Sequence, residues 1–142
     1  MSTELEHAAA FRSALRRFLA RTDELAGAAG LTSQRYDLLL AIRTGAGGTS
    51  TVTELTQRLS LRQTAVTELV KRAEEAGLVK RSSSTADGRV SVLGLTAKGD
   101  RQLMRAFVAL RGERRELADA MSAVAATFQV FARSQEAGAR RR

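Results

Sequence analysis

A mainly α-helical fold carrying one small β-hairpin is predicted by three observations. Apolar residues recur at three- and four-residue steps along much of the 142-residue chain. No proline interrupts them. One polar stretch, RSSSTADGR at 81–89, sits between two short β-prone runs and breaks the helical pattern. The length suits one structural domain built on a single core.

Taken in order, Phe11, Leu15, Phe18 and Leu25 form one apolar stripe and predict a first helix over 4–28, ending at the glycines that follow. Thr32 is placed to cap a second helix over 33–43, and Leu31 to staple against Tyr36. GAGGTST at 45–51 reads as a flexible connector. It lacks the GxxxxGK[ST] pattern and any strand leading into it, which argues against a nucleotide site. Thr51 and Glu54 match a capping box and open a short third helix to Leu59, followed by a tight turn at 60–62.

The fourth helix, QTAVTELVKRAEEA at 63–76, is the most informative segment. Val66, Leu69, Val70 and Ala73 fall on one buried face. Gln63, Thr64, Thr67 and Lys71 point the opposite way, a stripe of long or hydroxyl-bearing donors of the kind that reach base edges and phosphates. Gly77 supplies the left-handed residue that ends the helix. Residues 78–82 and 89–95 then pair as a hairpin around an Asp-Gly turn. Thr96 caps a last helical region whose seam runs through Leu103, Phe107, Leu110, Leu117, Met121, Val124, Phe128 and Phe131, interrupted only by Arg114. Gly112 and Ser122 are the weak points where it could break. So long a stripe exceeds what one small core needs and predicts packing against a partner chain.

Charge points to the partner's chemistry. The chain carries 23 Lys and Arg against 15 Asp and Glu, a net +8 that favours anionic partners. Residues 58–89 hold seven basic side chains against four acidic ones. There is no cysteine and only one histidine, His7, read as a surface or dimer-face side chain. Disulfide chemistry, a zinc site and a Ser-His-Asp triad are thereby disfavoured, and with no nucleophile, base and orienter assembled, neither an enzyme nor a cofactor is expected. No apolar run approaches the roughly 20 residues of a membrane span, and the N-terminus lacks the pattern of a secretion signal, so a cytoplasmic location is expected.

Three helices followed by a hairpin is the order of a winged helix-turn-helix, in which the last of the three enters the major groove and the hairpin is the wing. On that reading the polar loop is the wing tip, and Arg81 and Arg89 bring charge to the DNA backbone or the minor groove. At this point the chain resembles the MarR family of transcription regulators. The matching stretches are LTSQRYDLLLAI at 31–42, TVTELTQRLSL at 51–61, AVTELVKRAEEAGLVKR at 65–81, Asp87-Gly88-Arg89 and LTAKG at 95–99.

The resemblance implies a homodimer intertwined through an N-terminal helix (1–30) and C-terminal helices (96–135), with a DNA-binding lobe at 31–95; the ending AGARRR is itself read as part of a disordered basic tail at 136–142. It also implies binding to double-stranded DNA at a pseudo-palindromic operator, and repression released by a small, often aromatic, ligand. By position, Arg62, Gln63, Thr64, Thr67 and Lys71 correspond to the family's recognition-helix contacts; Asp87 would orient the wing and Arg89 probe the minor groove. Family effectors bind where the dimer helices meet the lobe, and Arg12, Arg16 and Tyr36 lie on segments that could line such a pocket. Two positions depart from the pattern: Glu68 stands where the family often has a basic residue, and Arg62 stands where a capping side chain would be better. The rival reading is a winged helix used only to bind other proteins.

Overall fold

The computed structural model describes residues 2–83 and 89–139. The chain divides into two compact units, one made of residues 23–109 and one of the residues up to Thr22 together with those from Leu110 onward. Among the described residues six helices, α1 (Ser2–Ala28), α2 (Ser33–Arg43), α3 (Val52–Leu59), α4 (Gln63–Glu75), α5 (Ala97–Ala109) and α6 (Arg111–Ala139), accompany three strands, β1 (Thr49–Ser50), β2 (Val79–Ser83) and β3 (Ser91–Leu95). The mainly helical chain with one small antiparallel sheet is what the sequence predicts.

In the 23–109 unit the helix ends follow the local chemistry. The Thr32 hydroxyl accepts from the Arg35 amide at 3.1 Å and caps α2. Thr51 and Glu54 form the reciprocal capping box of α3, at 3.2 and 3.4 Å, and the Glu54 carboxylate also accepts from the buried Ser50 hydroxyl at 3.0 Å. Replacing Thr51 by alanine strips one partner from this box and should cost about 1 kcal/mol in urea denaturation. A loss indistinguishable from zero would mean that water replaces the cap at no cost. The α3–α4 turn closes through Ser60 in the left-handed region, φ 53°.

α2 is the hub of this unit, packing against α3, α4, α5, β1 and β3. Leu38, Leu39, Ile42, Leu55, Val66, Val70, Leu78, Leu93 and Leu103 are almost wholly buried around it. Burial of roughly 1.5–3 kcal/mol per such side chain is what holds the three short helices together, since helices of 8 to 13 residues are marginal alone.

The connector at 45–51 is not a flexible link. It forms a tight 3-10 turn over Ala46–Gly48 and then strand β1, which pairs with β3 through Thr49 with Gly94 and Ser50 with Leu93, giving the sheet order β1-β3-β2. Its glycines serve geometry. Gly47 and Gly48 have φ of 64° and 73°, and a Cβ on Gly45 would lie 1.9 Å from the Thr49 carbonyl oxygen.

One carboxylate on α2 has a shifted proton affinity. Partial burial, and secondarily the Asp23 carboxylate, raise the pKa of Asp37. A raised value means that the folded chain holds this proton more tightly than the unfolded one, so the contribution to stability is full below the ordinary carboxylate range and is lost as pH rises through the folded value. Asp37→Asn should therefore leave stability unchanged near about pH 3 and raise it slightly near about pH 7. The residue as a whole is exposed, so screening keeps the gain small. A variant less stable than the parent at neutral pH would contradict this.

In the other unit, α1 and α6 are joined by exposed ion pairs, Arg17 with Glu116 at 3.0 Å and Arg21 with Glu113 at 3.4 Å. His7 is not a bare surface side chain: its Nδ1 meets the Thr127 hydroxyl. The same hydroxyl lies 3.1 Å from the Ala123 carbonyl, to which it can donate. The long C-terminal helical region breaks at Leu110, beside Gly112. α6 runs to Ala139, so residues 136–139 are helical where the sequence reading expects a disordered tail; Glu136, Ala137 and Ala139 are ordinary helix formers with no proline among them. Residues 140–142 lie outside the described set, as do the side chains of Phe128 and Phe131.

Candidate nucleic-acid interface

The presentation of α4 follows from its two faces. Val66, Val70 and Ala73 are fully buried and Leu69 is nearly so, which leaves Gln63, Thr64, Thr67 and Lys71 exposed on the other side. Arg62 is the N-cap residue with extended backbone and makes no side-chain capping bond, so its guanidinium is spent on nothing local to the helix start. All five residues nominated from this segment thus lie on or beside one solvent-facing surface.

The far end of α4 is clamped. Gly77, at φ 73°, turns the chain out of the helix. The Thr96 hydroxyl donates to the Gly77 carbonyl at 2.6 Å and accepts from the Gly99 amide at 3.0 Å; the Thr96 amide donates to the Leu78 carbonyl, and Lys98 Nζ to the Ala76 carbonyl, both at 3.0 Å. Three successive carbonyls after α4 are therefore taken by the start of α5. This fixes the angle at which α4 hands over to the hairpin.

The hairpin pairs Val79 with Leu95, Lys80 with Gly94, Arg81 with Leu93, Ser82 with Val92 and Ser83 with Ser91. Arg81 and Arg89 are both exposed, but their settings differ. The Arg81 guanidinium donates twice to one Glu74 carboxylate oxygen, at 2.9 and 3.2 Å, tying β2 to the last turn of α4. That pairing was invisible in the sequence, and it makes Arg81 a strut of the wing as well as a charge on it. Arg89 stands at the foot of β3. Asp87 lies outside the described residues, as does the rest of the tip at 84–88.

The nominated effector residues are divided. Arg12 and Arg16 are exposed on the α1 segment of the first unit, whereas Tyr36 is 5% exposed in the core of the second. A cavity of about 330 Å³ does exist in the α1–α6 unit, lined by Ala14, Phe18, Ala20 and the paired Arg17, Arg21, Glu113 and Glu116. Its arginines are Arg17 and Arg21, not Arg12 or Arg16. Among the described residues no helix is long and apolar enough to cross a membrane.

α2, α3 and α4 followed by the β2–β3 hairpin define a winged helix-turn-helix lobe. The MarR family model matches residues 29–90, which contain that lobe up to the foot of β3, so the family resemblance read from the sequence is borne out. Solved structures of this fold align along most of the chain. A point mutant of MarR from E. coli complexed with operator DNA gives a TM-score of 0.69 at 20% identity, covering 84% of this chain and 89% of that one. The YusO protein from Bacillus subtilis gives 0.62 at 23% identity, over 86% and 89%. BpsR from Bordetella bronchiseptica, whose DNA binding is regulated by 6-hydroxynicotinic acid, gives 0.66 at 17% identity, over 85% and 89%. No curated protein matches the chain.

Proposed function

We propose that the chain is a sequence-specific DNA-binding transcription regulator of MarR type, acting by binding and not by catalysis. The observation that carries this is the exposed donor surface of α4, held at a fixed angle to a basic hairpin inside a lobe that matches the family's model. Gln63, Thr64 and Thr67 would meet base edges, Lys71 and Arg62 the phosphates, and Arg89 the minor groove beside each half-site, with Asp87 ordering the tip. Repression released by a small ligand fits the same reading, as does a cytoplasmic location. For the effector, the α1–α6 cavity and the segments bearing Arg12, Arg16 and Tyr36 are the places to test first. An electrophoretic shift on upstream-region DNA against random DNA separates this from a protein-interaction module, which would give no specific shift.

Dimerisation belongs to the proposal. Leu5, Leu19, Met121 and Val130 of the α1–α6 unit are 52–66% exposed, and in α5 Met104 is 46% and Val108 53% exposed. Large aliphatic side chains left in water along helices at both chain ends support an obligate homodimer paired through them, the symmetry a pseudo-palindromic operator requires. Sedimentation at micromolar concentration should give the mass of two chains; the mass of one would contradict it.

A further inference from the structure

The DNA-reading surface contains a carboxylate that the reading above leaves unused. Thr64, Glu68, Lys71 and Glu75 follow at steps of four, three and four residues, which places them on the line directly opposite the buried Val66, Leu69, Val70 and Ala73. Glu68 is therefore nearer the centre of the exposed face than Gln63 or Thr67. Its side chain is 57% exposed, and its ion pair is a loose one, 3.7 Å to Arg72 Nε on the same helix. By contrast Glu74, off that line, is drawn into the close pair with Arg81.

A carboxylate at the middle of a helix laid in the major groove has few acceptable neighbours. Phosphates repel it, and the acceptor atoms of guanine and thymine edges do the same. It accepts only, so the group that satisfies it is an exocyclic amino group on the groove floor, and cytosine N4 is the one that a Glu matches. We propose that Glu68 is a specificity-determining residue that selects a cytosine at one position of each half-site and penalises binding to sequences lacking it. This rests on α4 being the DNA-reading helix. It also accounts for an acidic residue where a cation would give tighter but less selective binding: the charge costs affinity everywhere and regains it at one base.

The test is selection from a randomised duplex library by the full-length chain and by Glu68→Gln, with Asp37→Asn, the same loss of one negative charge at an exposed position of α2, as the control. The parent is expected to enrich cytosine at one position per half-site. Glu68→Gln should lose that preference by roughly five-fold or more and turn toward adenine, whose N6 and N7 suit an amide, while binding random duplex more tightly. Asp37→Asn should leave every base preference in place. If Glu68→Gln changes overall affinity but no base preference, Glu68 is only a surface charge and the proposal fails alone. If the parent enriches no consensus at all, the DNA reading fails with it. Thermal denaturation of both variants confirms that each is folded before selection.

Discussion

Gly99→Ala is expected to destabilise the 23–109 unit by about 3 kcal/mol, the upper end for inserting a methyl group into a packed site. A Cβ at Gly99 would lie 2.1 Å from the Leu78 carbonyl oxygen and 3.0 Å from its carbon. Both are backbone atoms, so no side chain can rotate away to make room. That carbonyl is also the acceptor for the Thr96 amide, and the neighbouring Gly77 carbonyl binds the Thr96 hydroxyl. Relief of the clash must therefore pull α5 off the end of α4 and disturb the angle between α4 and the wing. DNA affinity should fall along with stability although Gly99 faces Leu78 and not the exposed side of α4. Gly112→Ala is the contrasting case: nothing lies within 4 Å of a Cβ there, and the residue sits in the first turn of α6. That change should be neutral or stabilise by up to about 1 kcal/mol. Equal unfolding midpoints for the two variants would show that the Gly99 contact yields without cost.

Gln63→Ala and Arg89→Ala should both weaken DNA binding, but in different ways. Gln63 is exposed at the first position of α4, where a side-chain amide can make a bidentate contact with a base edge. Its loss should cost about 1–3 kcal/mol on the operator and blur preference at particular positions, with little effect on random duplex. Arg89 stands on the wing, so its loss should weaken specific and nonspecific binding more evenly and lower the salt slope by roughly one unit per arginine per half-site. Any preference for A·T pairs flanking each half-site should fade with it, because a narrow minor groove is what attracts the guanidinium. If Arg89→Ala leaves affinity and salt dependence unchanged, the wing is a passive hairpin.

Local signals were the legible ones. Thr32, Thr51 with Glu54, and Gly77 each act within four residues, so capping and left-handed helix ends could be read directly from the chain. The buried face of α4 was equally plain from its period. What sequence alone missed is non-local. Strand β1 is two residues long and exists because β3 offers it a free edge; the glycines before it look like flexibility but enforce a tight turn. Gly99 carries no sign that its hydrogen faces Leu78 from another element. The Arg81–Glu74 pair joins a strand to a helix and cannot be told in sequence from two solvated charges. The break at Leu110 has no proline to mark it, and the two candidate weak points were separable only by packing: Leu110 is fully buried beside Gly112, while α6 continues through Ser122.

The central claim is that the exposed face of α4 and the basic wing read a duplex sequence. Equilibrium binding of the purified full-length chain to the duplex it enriches from a random library, compared with a scrambled duplex of equal length and composition, tests it most directly. At physiological salt the enriched duplex should bind at least about a thousand-fold more tightly, with two chains bound per inverted repeat. Equal affinity for the two duplexes, whatever its magnitude, would contradict it.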